Sequence, residues 1–309
     1  MKKKILITFK ALVTFILLAL LFNNIDFNET IKHFRSFNLL FLVFALCALI
    51  LQAITITMRW KKIILHLDIH YPFVTLLRYF WIGSFFNQAL PSSVGGDALR
   101  GYCLYRDGQS IKNSTLSVLI DRIFGVIGLV LLAMLAFSLL SSQIDSIDLK
   151  IGMLITIFGL VVAILSIFSL DLFIKKTNYK VVRGLLSLSH ESRKIALNSF
   201  SGVRLTMLSV IVHFLSIVTV VILAEGMNMN IQWIGIFTII PMVSLLMVVP
   251  VSIAGWGVRE SGMVIGLGYF GVEPEYALAL SILYGATVLI VTLPGLLLWA
   301  LNKSNYDAQ

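Results

Sequence analysis

Six apolar runs, each long enough to cross a lipid bilayer as a helix, constrain this chain more than any other feature of its sequence. A helix needs about 20 apolar residues to cross the hydrocarbon core, because each residue adds about 1.5 Å. Only 13% of the residues are charged, about half the share in a soluble domain. The sequence therefore predicts an all-α, polytopic membrane helix bundle, with residues 1–309 forming a single integral membrane domain. The runs are residues 5–22, 39–58, 115–140, 150–170, 204–224 and 276–300.

The distribution of basic residues predicts the orientation of the bundle. Lys and Arg are retained in cytoplasmic loops, and the loop 171–204 contains seven of them. The N-terminus, with Lys2 to Lys4, carries the same signal. We expect a multi-pass protein of the cytoplasmic (inner) membrane with both termini and the loop 171–204 in the cytoplasm. The net charge of +9 then reflects proximity to anionic lipid, and no nucleic-acid partner is expected.

Two further apolar stretches, 73–90 and 232–249, run into Pro-Gly segments. If 73–90 crossed the membrane alone, the basic loop 171–204 would lie outside. The sequence therefore predicts that 73–113 is a re-entrant hairpin, or a crossing with a short return leg. The same reasoning makes 232–273 a second hairpin, entered from the outer side.

The two breaks align without a gap and predict an inverted repeat. Pro91 meets Pro250, and Arg100 meets Arg259; the remaining identities are Ser93 with Ser252 and Gly96 with Gly255. Inverted repeats with broken helices line the substrate sites of secondary transporters, and Arg binds phosphate through its planar fork. We therefore predict that Arg100 and Arg259 face one shared polar cavity. The alternative is that the breaks are ordinary kinks and the arginines are interfacial anchors.

The acidic residues near these arginines have two interpretations. Charges inside a bilayer are costly and are usually paired, so Asp97, Asp121 and Glu260 could balance Arg100, Arg122 and Arg259. Alternatively, one carboxylate could carry a coupling proton. Asn87 could bind a headgroup or satisfy a broken helix end. The five tryptophans, including Trp60 and Trp256, are predicted to form an interfacial belt, and residues 178–200 form either an amphipathic interfacial helix or a solvated connector.

These segments resemble the flippase-like transmembrane family named for the membrane region of lysylphosphatidylglycerol synthase. The resemblance implies a domain that translocates lipids or lipid-linked sugars between leaflets. In two-part members a soluble domain transfers an amino acid from tRNA, and with Gln309 nine residues past Ala300 we expect that domain to be absent. The resembling segments are Arg59-Trp60, Asn87-x3-Pro91-x3-Gly95-Gly96-Asp97-x2-Arg100, Asp121-Arg122, and Pro250-x-Ser252-x2-Gly255-x-Gly257-x-Arg259-Glu260.

The expected function is the flipping of a phospholipid, a polyprenyl-phosphate-linked glycan or a glycolipid, without enzymatic activity, cofactor or metal. One alternative is an integral membrane glycosyl- or acyltransferase that uses Asp97 or Glu260. Another is a scaffold that recruits a biosynthetic enzyme through the loop 171–204. The predicted substrate-binding residues are Asn87, Ser93, Gly95, Gly96, Asp97, Arg100, Asp121, Arg122, Ser252, Gly255, Gly257, Arg259 and Glu260.

Overall fold

The computed structural model describes residues 2–25, 27–90, 95–174, 178–229, 231–248 and 252–306. Its regular structure in those ranges is helical, with no strand. The helices are α1 (Lys2–Asn24), α2 (Phe27–Arg35), α3 (Leu39–His66), α4 (Phe73–Ala89), α5 (Gly95–Arg106), α6 (Ile111–Leu140), α7 (Ile147–Phe173), α8 (Lys180–Leu197), α9 (Ser199–Gly226), α10 (Trp233–Leu246), α11 (Val258–Gly268), α12 (Pro274–Thr292) and α13 (Pro294–Tyr306).

Five stretches of the described chain are long and apolar enough to span a membrane. They are α3, most of α6, α7, α9 and the pair α12–α13, and they contain five of the six predicted runs. Pro294 separates α12 from α13, because proline has no N–H to continue the helical ladder. The sixth run, 5–22, lies within α1, whose described apolar part is the shorter stretch Lys10–Leu21. The all-α, polytopic membrane bundle is thus confirmed.

The helices α3 and α9 pack antiparallel through the centre of the bundle. Near one end, the Asn38 N–H donates to the Gly226 carbonyl at 2.9 Å. Near the middle, Nε2 of Gln52 donates to Ser216 Oγ at 2.6 Å. Residues later in α3 contact residues earlier in α9, so the two helices run in opposite directions.

The predicted segments 73–113 and 232–273 each contain two helices that pack against each other. In the first, α4 and α5 touch backbone to backbone: a Cβ on Gly83 would lie 2.6 Å from the Gly96 carbonyl oxygen. In the second, a Cβ on Gly262 of α11 would lie 2.9 Å from Cγ2 of Val243 on α10. Their re-entry from opposite sides of the membrane stays a prediction. The breaks themselves, with Pro91, Ser93 and Pro250, lie outside the described residues.

Two sets of helices, α3–α6 and α9–α12, use equivalent packing partners. In the first set, α3 packs on α4 and α5 packs on α6. In the second set, α9 packs on α10 and α11 packs on α12 in the same way. Across the sets, α6 contacts α9 and α10, while α12 contacts α3 and α4. In an inverted repeat the equivalent helices of the two halves run in opposite directions, as α3 and α9 do. The repeat itself remains a prediction.

The basic loop 171–204 contains the helix α8, which packs against α7. Arg193 makes two hydrogen bonds to the Asp171 carboxylate, at 2.6 and 2.7 Å. On another face of α8, Leu188 and Ile195, seven residues apart, are buried. Of the two interpretations of residues 178–200, a plain connector is therefore wrong; the position of α8 at a lipid surface remains a prediction.

The predicted topology can be tested by cysteine labelling. In a protein with Cys47 and Cys103 replaced by Ser, a cysteine at Ile111, which is 63% exposed, should react with an impermeant maleimide only when the cytoplasmic side is accessible. A cysteine at Glu273 should react only from the opposite side, because that turn follows the second hairpin. Labelling of position 111 from the periplasm would overturn the hairpin topology and the inverted repeat with it.

Candidate functional site

A buried ionic cluster joins α3, α5 and α6. The Asp121 carboxylate accepts a hydrogen bond from Arg59 Nε at 2.7 Å and another from Arg100 Nη2 at 2.9 Å. On the other side of Arg100, Nε lies 3.0 Å from an oxygen of Asp97, which also pairs with Arg122. Arg59, Arg100 and Asp121 are all at most 4% exposed. Pairing is what allows such charges to be buried, because an isolated buried charge costs several kcal/mol.

A second cluster lies at the start of α11. Arg259 donates from Nε to the Glu260 carboxylate at 3.0 Å and to Ser281 Oγ at 3.3 Å. The other Glu260 oxygen accepts from the Gly257 N–H at 2.6 Å and so caps the helix. Gly257 has a φ of 84°, a left-handed conformation that glycine adopts readily. Glu260 therefore caps the N-terminus of α11 and also binds Arg259.

Each arginine of the predicted pair also lies over an indole ring. The Arg100 Cζ is 4.9 Å from the centre of the Trp60 ring, and the Arg259 Cζ is 4.7 Å from that of Trp256. A guanidinium over an indole face is attracted by the ring quadrupole. Trp60 is completely buried, so its prediction as an interfacial residue was wrong: α3 continues to His66 and carries the ring into the bundle.

Arg100 and Arg259 line one cavity of about 420 Å³, which is the placement that the sequence predicted. This volume lies within the usual range of small-molecule sites, about 300–1,000 Å³. Phosphate binding by the arginines remains a prediction. The predicted site residues that line the cavity are Asn87, Asp97, Arg100, Asp121, Arg122, Ser252, Gly255 and Arg259.

The remaining predicted residues shape the two hairpins. Gly96 allows α5 to approach α4, and its N–H donates to Asn87 Oδ1 at 2.9 Å. Asn87 therefore satisfies a helix end, as one of its two interpretations proposed. Gly95 packs on Leu90. Gly257 and Glu260 belong to the α11 cap described above, and Ser93 lies outside the described residues.

Sequence reasoning missed Arg59 as a site residue. Lys61 and Lys62 follow it, and such a run of basic residues is typical of a cytoplasmic flank. One signal could have found it: Gln52 and Arg59 are seven residues apart, which places both on one helix face. Both line the cavity. His213 lines it too, with Nε2 3.0 Å from the Gly125 carbonyl oxygen.

The charges around the cavity leave a positive surplus. Four arginines (59, 100, 122 and 259) face three carboxylates, those of Asp97, Asp121 and Glu260. In addition, Nη1 of Arg100 is buried and has no hydrogen-bond partner in the described part of the chain. A buried donor without a partner costs free energy. A single anion bound in the cavity would therefore balance the cluster.

Comparisons with known proteins agree with the membrane architecture. The model of a family described as "Lysylphosphatidylglycerol synthase TM region" matches residues 7–295. A UPF0104 membrane protein of Methanocaldococcus jannaschii is 27% identical over 206 residues, which are 65% of this chain and 86% of that protein. Another, of Pyrococcus horikoshii, is 28% identical over 206 residues, again 65% of this chain but 58% of that protein.

Proposed function

This chain belongs to the family of the lysylphosphatidylglycerol synthase TM region, and on that premise we propose that it translocates an anionic lipid between the leaflets of the cytoplasmic membrane. The substrate is a phospholipid, a polyprenyl-phosphate-linked glycan or a glycolipid. The observation that carries this proposal is the shared cavity of Arg100 and Arg259, which come from two different helix pairs.

Lipid flipping requires a polar path through an apolar medium. Even one charged side chain at the bilayer centre costs at least about 2.5 kcal/mol on insertion scales, so a charged headgroup needs groups that replace its water. The cavity offers buried guanidinium groups for the phosphate and hydroxyls or amides for the rest of the headgroup, among them Gln52, Ser84 and Ser244.

The charge balance favours a headgroup with a single negative charge. One phosphodiester neutralises the surplus charge of the cluster, whereas a diphosphate would leave excess negative charge in a site of low dielectric constant. We therefore propose a phosphodiester lipid as the substrate, and expect diphosphate-linked lipids to bind more weakly.

The environment of the three carboxylates favours a role in transport over a role in catalysis. Asp97, Asp121 and Glu260 each accept from at least one arginine. A general base needs an accessible oxygen within hydrogen-bond reach of the proton that it removes, and these carboxylates are at most 6% exposed. Their proposed role is to orient the guanidinium groups, and we propose that the protein is not an enzyme.

The test is a leaflet-resolved translocation assay with purified protein in vesicles. We expect labelled phosphatidylglycerol or a polyprenyl-phosphate sugar to cross faster than in protein-free vesicles, and a polyprenyl-diphosphate sugar to cross at least about tenfold more slowly than the better of the two, a difference of about 1.4 kcal/mol. The control protein carries Arg106→Gln, a change of an exposed arginine on α5. Rates equal to those of protein-free vesicles for every lipid would refute the proposal.

A further inference from the structure

A second, smaller cavity adjoins the first where α3, α4 and α12 meet. Its volume is about 160 Å³. It shares part of its wall with the main cavity, including Gln52, Phe80 and Val288. We call this smaller cavity the side arm. Its own lining, absent from that of the main cavity, consists of Leu49, Ala53, Trp81, Val291 and Thr292.

The side arm differs from the main cavity in chemistry. Its own lining carries no charged residue, whereas the main cavity is lined by four arginines. Leu49 and Ala53 are buried, and Val291 is half-buried. A ligand that occupied both spaces would need a charged part and an uncharged, mostly apolar part.

The positions along α3 place these two parts at different depths. Arg59 lies seven residues beyond Gln52 and ten residues beyond Leu49, which corresponds to about 10 and 15 Å along the helix axis. Gln52 is at the middle of α3, which runs from Leu39 to His66. The charged cluster therefore lies towards the C-terminal end of α3, and the side arm lies near its centre, where a spanning helix passes the hydrocarbon interior.

We propose that the side arm holds the first segment of a hydrocarbon chain whose phosphodiester lies at Arg100 and Arg259. This inference rests on the proposed function and specifies how the lipid lies in the site. The chain leaves the main cavity between α3, α4 and α12, so it lies among uncharged and mostly apolar side chains while the headgroup lies among the arginines. An acyl chain of a glycerolipid and a polyprenyl chain share this chemistry.

The test uses two photoreactive lipids, each with a diazirine on the first carbons of its hydrocarbon chain. One is a phosphatidylglycerol and the other a polyprenyl-phosphate sugar. The full-length protein in vesicles should be crosslinked at peptides that contain Leu49, Trp81 or Val291. The probe that labels these peptides identifies the source of the chain, and both results support the side arm. Crosslinks confined to the exposed faces of α7 would overturn it.

A matched pair of variants on α12 tests the same inference without a crosslink. Val291→Trp fills the side arm, whereas Ile290→Trp adds the same ring at a neighbouring position that is 43% exposed. Val291→Trp should weaken lipid binding at least about tenfold relative to Ile290→Trp, since displacing a few methylene groups has an effect of this size. Glycerophosphoglycerol, which has the phosphodiester but no chain, should bind both variants equally.

The possible outcomes separate the two proposals. Equal lipid binding by the two variants, with normal translocation, would overturn the side arm and leave the proposed function intact. Loss of lipid binding in Val291→Trp with normal binding of glycerophosphoglycerol would support the side arm, because the ring then displaces only the chain. If the wild-type protein translocated no lipid, the proposed function itself would fail.

Discussion

Replacing Asp121 with Asn should lower the free energy of unfolding by about 3–5 kcal/mol, the usual cost of removing one partner from a buried ion pair. Among the described residues, Asp121 is the one carboxylate that joins α3 to α5, since it accepts from both Arg59 and Arg100. In the variant, Arg59 would keep its hydrogen bond to Ser209 but lose its charged partner. The measurement is thermal unfolding of the purified protein in detergent.

The matched control is Asp145→Asn, which removes a charge from the exposed connection between α6 and α7. Its unfolding temperature should stay close to that of the wild type, because an exposed charge contributes little. If Asp121→Asn and Asp145→Asn unfold at the same temperature, the ionic cluster does not hold the helices together. A double variant, Arg59→Met with Asp121→Leu, should recover part of the loss, because the unpaired charge is then gone.

Replacing Arg100 with Lys should reduce the rate of lipid translocation by at least about tenfold, even though the positive charge is kept. The guanidinium contacts Asp97 and Asp121 from separate nitrogens, and Lys offers one compact ammonium instead of a planar fork. Arg100→Ala should be slower still, because two buried carboxylates lose their common partner. Both variants should reach the membrane, since insertion depends on the apolar helices.

The assay compares leaflet-resolved translocation with the amount of protein in the membrane, measured by blotting. Arg106→Lys makes the same substitution at an exposed position of α5 and should translocate lipid at the wild-type rate. If Arg100→Ala translocates lipid normally at normal abundance, the arginine is a structural anchor. Phosphate binding by Arg100 would then have to be abandoned, although lipid transport could rest on other residues.

The sequence predicts those parts of the fold that the lipid environment determines, namely the spanning helices. A spanning helix must be apolar along about 20 residues, so runs such as 39–58 and 204–224 are visible without any knowledge of their neighbours. The ends of the helices are harder to predict. The apolar run of α3 stops at residue 58, but the helix continues to His66, and one face of its last two turns is buried in the protein.

The composition of the site was harder to predict than its location. Pro-Gly breaks and a repeated arginine indicate where polar groups enter the bundle, and they led to Arg100 and Arg259. Arg59 has no such local signal. Its partner Asp121 is 62 positions away, and a basic residue beside two lysines has the pattern of a cytoplasmic flank. Only the packing of α3 on α6 distinguishes a buried ion pair from an interfacial charge.

The contact between Gly83 and Gly96 limits how this protein can change shape. Because the two backbones touch there, α4 and α5 have no side-chain layer along which they could slide past each other. We expect any rearrangement that opens the cavity to one leaflet to move α4 and α5 together as one rigid unit. Arg100, which lies on α5, would move with them. The contact of this pair with α6 is held by the hydrogen bond from Arg100 to Asp121 and by the pairing of Asp97 with Arg122. In the proposed transport, these two ion pairs would have to break before α4 and α5 could move away from α6.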